Sequence, residues 1–63
     1  MRVTEYDEAA DGGFIVEIDD RGQTFYVHRT HAGKWVIMDC QFRRCEVGNR
    51  QALIDLAAEH EVR

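Results

Sequence analysis

Proline is absent from this 63-residue chain, cysteine occurs twice, glycine five times, and tryptophan once. No run of about 18 apolar residues is present, so no segment has the makings of a membrane-spanning helix. No basic stretch followed by an apolar one opens the sequence, so no secretion leader is expected and the expected location is cytoplasmic. Repeats, low-complexity tracts and linkers are missing too, and residues 1–63 are expected to form one domain. A chain this short buries only about 60% of the surface its unfolded form exposes. That leaves no room for a nucleotide-binding fold or a barrel enzyme.

Signatures of chemistry are equally scarce. There is no Gly-rich phosphate loop, no nucleophile elbow and no H-E-x-x-H. Cys40 and Cys45 stand at C-x4-C spacing, which is not the tight knuckle of a zinc site, and no second cysteine pair follows. The expectation is a buried thiol at Cys40 and a loop thiol at Cys45, the latter with its pKa drawn down by Arg43 and Arg44. The acidic pairs Asp7-Glu8 and Asp19-Asp20 each fall on adjacent strand positions, which point to opposite faces, so neither forms an acid/base dyad. The residues therefore predict no metal, no cofactor and no enzymatic activity.

What is present is a β pattern followed by a helical one. Phe14–Asp20, Gln23–Thr30 and Trp35–Cys40, the last reaching at most to Phe42, are β-branched or aromatic and near-alternating. Arg21-Gly22 and His31-Ala32-Gly33-Lys34 separate them as turns. A two-residue turn at Arg21-Gly22 pairs Ile18 with Phe25 and Val16 with Val27. A two- or four-residue loop around Ala32-Gly33 pairs Val27 with Met38 and Phe25 with Cys40. The resulting apolar face holds Phe14, Val16, Ile18, Phe25, Val27, Val36, Met38, Cys40 and Phe42. The opposite face then holds Ile15, Glu17, Asp19, Tyr26, His28, Trp35, Ile37 and Asp39.

Past Gly48, Asn49 is a candidate N-cap. Leu53, Leu56, Ala57 and His60 follow at helical spacing, flanked by Ile54 and Ala58. Arg2–Tyr6 reads as a further strand joined through Asp11-Gly12-Gly13, with a helical turn over 5–10 as the alternative. The predicted fold is α+β: an antiparallel meander sheet of three or four strands with one C-terminal helix packed on one face. One helix cannot cover both faces. The second face is left to residues 1–12, to a second copy in a homodimer, or to an external partner.

Charge is unevenly spread. The chain has 8 Lys+Arg against 12 Asp+Glu, a formal −4. Glu5, Asp7, Glu8, Asp11, Glu17, Asp19 and Asp20 crowd the first 20 residues against Arg2 alone. Arg21, Arg29, Lys34, Arg43, Arg44 and Arg50 make the middle basic. The net sign weighs against a general nucleic-acid binder. A rigid array of carboxylates can instead compete for the Lys- and Arg-rich grooves that bind DNA. Tyr6, Tyr26 and Trp35 are the candidate desolvated anchors beside it.

In size, charge and architecture the whole chain resembles the small phage-encoded inhibitors of bacterial defence, in particular anti-CRISPR proteins that act on type I surveillance complexes. The resemblance implies a stoichiometric inhibitor and not an enzyme; separately, the chain is expected to be a monomer or a homodimer. Its acidic residues would mimic DNA phosphates toward a basic DNA-binding surface of the host complex. The basic stretch Arg43–Arg50 departs from a uniformly acidic mimic. It supports an alternative expectation, a small nucleic-acid-binding regulator from a mobile element.

Overall fold

The computed structural model describes residues 1–61. Four strands run in chain order across one antiparallel sheet: β1 (Arg2–Glu8), β2 (Phe14–Asp20), β3 (Gln23–Arg29) and β4 (Trp35–Met38). A single helix, α1 (Arg50–Glu59), follows. This is the expected α+β meander, with residues 2–8 forming the fourth strand rather than a helical turn.

The loops decide what each strand shows to the helix. Arg21 and Gly22 form the β2–β3 turn with φ of 55° and 81°, the paired positive values of a type I′ hairpin. As expected, Ile18 pairs with Phe25 and Val16 with Val27. The β3–β4 loop differs from expectation. Thr30 and Lys34 close it, with the Thr30 amide donating to the Lys34 carbonyl at 2.8 Å and the Gly33 amide to the Thr30 carbonyl at 2.9 Å. Gly33 has φ 87°, so this is a three-residue loop ending in a left-handed residue. An odd loop shifts the pairing by one. Val27 pairs with Ile37, not Met38.

That shift moves all of β4 to the other side. Ile37 is buried and Trp35 packs against the core, whereas Val36 and Met38 go to the far face. Cys40 and Phe42, expected in the core, are exposed. Asp39 starts the loop after β4 rather than lying on the open face, and its carboxylate accepts from the Gln41 and Arg43 amides.

The core contains Phe14, Val16, Ile18, Val27, Ile37, Leu53, Ile54 and Ala57. Tyr6 stacks on Phe14 with centroids 5.3 Å apart, and Trp35 meets the same ring edge-on at 5.9 Å. On α1, Ile54 is buried while Leu56 is only half-buried and Ala58 and His60 are exposed. The buried stripe is therefore Leu53, Ile54 and Ala57. Asn49 stands at the N-cap but makes no capping bond. Its side-chain amide donates to Asp20 at 2.9 Å, fastening the helix start to the end of β2.

Val3 and Tyr6 both pack against the core although three positions separate them. The register shift between Val3 and Glu5 explains this, because Thr4 is an extra residue that resets the alternation. At the other end of β1 the chain passes so close to β3 that a Cβ on Gly13 would sit 1.9 Å from the Arg29 carbonyl oxygen.

Asp11 ties this loop to the β3–β4 loop. Its carboxylate accepts from the Gly13 amide at 2.9 Å, the His31 amide at 3.2 Å and His28 Nε2 at 3.3 Å. The Gly13 amide contributes most to holding this carboxyl below its ordinary value of 3.8, followed by the His31 amide and then His28. The carboxylate is the form the native state favours. Its stabilisation is complete above the unfolded pKa of about 4 and is lost as pH falls through the depressed native value.

Two expectations follow for stability. Leu53→Ala should cost about 2–5 kcal/mol in denaturant unfolding, and Leu56→Ala distinctly less, since only Leu53 is fully enclosed. Asp11→Ala should lower the thermal midpoint at neutral pH and flatten its decline below about pH 4. An unchanged acid profile would show that Asp11 does not tie the loops together.

Candidate functional site

Helix α1 lies on one side of the sheet, and among the described residues no helix or further strand covers the other. The strand pairing lays out this open face in rows. One row runs Asp7, Ile15, His28, Val36 from β1 to β4, and the next runs Glu5, Glu17, Tyr26, Met38. A third carries Arg2, Asp19 and Thr24. The face is therefore divided lengthwise. Its β1–β2 half is acidic, with Glu5, Asp7, Glu17 and Asp19. Its β3–β4 half is apolar, with Tyr26, Val36 and Met38. Arg2 and His28 are the basic side chains in these rows, with His28 engaged by Asp11, and Arg44 follows Met38 at the end of the middle row.

Only some of the residues singled out from sequence meet here. Glu5, Asp7, Glu17, Asp19 and Tyr26 share the open face. Glu8 and Asp20 lie on the helix side, where Glu8 borders a hollow with Tyr6, Phe14 and Glu61 and Asp20 accepts from Asn49. Asp11 is committed to its loop contacts. Tyr6 and Trp35 also lie on the helix side, against Phe14. Trp35 carries the Arg29 guanidinium 5.1 Å from its ring centroid, so it is not the open-face anchor that even loop parity implied.

Glu17 stands at the centre of the face. The Thr4 hydroxyl donates to Glu17 Oε1 at 2.6 Å. Tyr26 is the cross-strand partner of Glu17, and Thr4 and Tyr26 in that order hold the Glu17 pKa below 4.5. The Tyr26 phenol is in turn pushed above 10.0, first by Glu17 and then by burial and nearby negative charge. The Thr4 hydroxyl belongs to the extra residue of the β1 bulge.

Phe42 completes the site and was placed elsewhere by sequence reasoning. The turn after β4 repeats the β3–β4 loop: the Asp39 amide donates to the Arg43 carbonyl at 2.9 Å and the Phe42 amide to the Asp39 carbonyl at 3.0 Å. The β1–β2 loop has the same plan. Its left-handed position is held by Gly12 at φ 93°, and that of the β3–β4 loop by Gly33. In the third loop the position is held by Phe42 at φ 61°. A bulky residue there costs about 1–2 kcal/mol. Phe42 is 59% exposed, and its ring stacks on Tyr26 with centroids 4.2 Å apart and planes at 23°. Such a pair returns about 0.5–1.5 kcal/mol, so stack and strain are of similar size. Asp39-Cys40-Gln41-Phe42 lacks the glycine that marks the two sister loops, so no sequence signal pointed to this turn.

The thiols exchange their expected roles. Cys40 is exposed in this third loop and Cys45 packs against the core. Burial, with a smaller effect from Asp39, raises the Cys45 pKa above 9.0 and outweighs any lowering by Arg43 and Arg44. Among the described residues no three His, Cys, Asp or Glu side chains gather to hold a metal ion, and no helix is long and apolar enough to cross a membrane.

Two arginines, Arg44 and Arg50, stand together away from the acidic half. A groove of about 430 Å³ at the β4 edge is lined by Trp35, Val36, Ile37, Arg44, Cys45, Glu46 and Arg50. Arg50 donates to the Trp35 carbonyl there at 3.1 Å. Comparison with known proteins finds no matching family model, no matching curated protein and no matching solved structure.

The Glu17–Tyr26 pairing has a spectroscopic consequence. In a Tyr6→Phe background, ultraviolet titration reads Tyr26 alone, and the phenol should ionise above 10. Glu17→Gln should bring that transition down, because the accepting charge is removed. An unmoved transition would mean that Glu17 does not control the phenol.

Proposed function

We propose that this chain is a non-enzymatic, stoichiometric interaction protein. Its open sheet face binds a basic, nucleic-acid-binding surface of another protein. The observation that carries this is the lengthwise division of that face, with four carboxylates on the β1–β2 half beside an apolar β3–β4 half. The carboxylates steer and align a Lys- and Arg-rich surface, and the apolar half supplies area to desolvate. Following the resemblance in size and charge to anti-CRISPR proteins, the first candidate partner is a type I CRISPR surveillance complex in the bacterial cytoplasm. The carboxylates would there occupy positions otherwise taken by DNA phosphates.

A second reading, a nucleic-acid-binding regulator, is favoured by Trp35, Arg44 and Arg50 lining the groove at the β4 edge. The first reading centres on the acidic β1–β2 half and the second on the β4 edge, where Val36 and Arg44 border the open face. In competition against target duplex for a purified surveillance complex, Glu5→Lys/Asp7→Lys should weaken inhibition by about tenfold or more, as loss of complementary charge does. Arg44→Glu/Arg50→Glu should leave it nearly unchanged. No inhibition by the unmodified protein removes this complex as the partner. Inhibition indifferent to the acidic reversal overturns the acidic-face mechanism. Salt-sensitive binding of an oligonucleotide, abolished by the arginine reversal, would establish the regulator instead.

A further inference from the structure

We infer that Phe42 and Tyr26 form a ledge that receives an arginine side chain of the partner, so that the open face distinguishes arginine-bearing from merely basic surfaces. The inference rests on the proposed role of this face and assigns its apolar half a ligand chemistry.

Four observations converge on it. Phe42 occupies a left-handed position that glycine fills in both loops of the same plan. Strained backbone of this kind clusters at ligand-binding positions. The ring is largely exposed, at 59%, yet it is held in place by stacking on Tyr26. Tyr26 lies directly opposite Glu17, whose carboxylate the Thr4 hydroxyl holds at 2.6 Å. The ledge is therefore pre-positioned, with little side-chain freedom left to lose on binding.

The surroundings select the ligand. Across the row from Tyr26 stand Glu17 and Glu5, and on its other side the apolar Met38 separates it from Arg44. Arg43, the cation nearest in sequence to Phe42, is directed to Asp39 at 3.7 Å. An aromatic surface bordered by carboxylates suits a planar cation that stacks and pairs at once. A guanidinium does both, whereas an ammonium is a compact, strongly hydrated charge that pairs but stacks poorly.

The probes are fluorescently labelled arginine and lysine nonapeptides of equal charge, titrated with the full chain at ordinary salt and followed by anisotropy. The arginine peptide should bind about three- to fivefold tighter, the range expected of an exposed cation–π contact. Phe42→Gly should equalise the two peptides without lowering the thermal midpoint, because glycine relieves the backbone strain as the stack is lost. Phe42→Asn, also tolerant of this conformation, serves as a second ring-free variant. Phe42→Tyr should keep the preference.

Equal binding of both peptides by the unmodified chain, or a preference that survives both ring-free variants, overturns the ledge and leaves the acidic-face reading standing. No binding of either peptide overturns both. A preference lost in the Gly and Asn variants and retained in the Tyr variant supports the ledge.

Discussion

The closure of the β3–β4 hairpin by three residues rather than two or four is the constraint on which the rest depends. Gly33 takes the left-handed position that ends such a loop, and Thr30 and Lys34 are thereby paired. Side-chain alternation then leaves no choice. Ile37 and Trp35 go under the helix, and Val36 and Met38 go out. The same geometry after β4 places Phe42 on the outer face, over Tyr26. A slip of one residue would bury Met38, expose Ile37 and dissolve the division of the open face into acidic and apolar halves.

Three loops share one plan and serve different ends. At one end of the sheet, the β1–β2 and β3–β4 loops are joined by Asp11, and the close approach at Gly13 lets them come together. At the other end, the third loop accepts a strained residue and turns an aromatic ring outward. The molecule thus spends its conformational tolerance at one place, while the core of Val16, Ile18, Val27, Leu53 and Ala57 is closed and ordinary.

Much of this was legible in the sequence. The strand positions, the Arg21-Gly22 turn, the helix and the α+β meander followed from alternation and helical spacing. Glu17, Asp19, Tyr26 and His28 were placed on the open face because the β2–β3 register rests on a two-residue turn whose parity is plain. The β4 assignments failed for a specific reason. His31-Ala32-Gly33-Lys34 is compatible with loops of different parity, and β4 is apolar on both faces, so Val36 and Met38 look as suited to a core as Trp35 and Ile37. Phe42 was hidden because nothing in an isolated sequence announces a phenylalanine where a glycine is easier. The extra residue Thr4 was likewise invisible, since a bulge appears only when the partner strand is known.

The two borders of the sheet close off one mode of association and leave another. Beyond β4, the returning chain pairs with the strand: Arg44 bridges to Met38 and the Cys45 amide donates to the Ile37 carbonyl at 3.1 Å. Beyond β1, the bulge at Thr4 breaks the regular row of backbone groups that an incoming strand would need. Each border is thus blunted against recruiting a foreign strand or a stray copy of the same chain. Contact is steered onto the flat of the sheet, where side chains rather than the backbone do the recognising, and recognition by side chains depends on sequence in a way that strand addition largely does not.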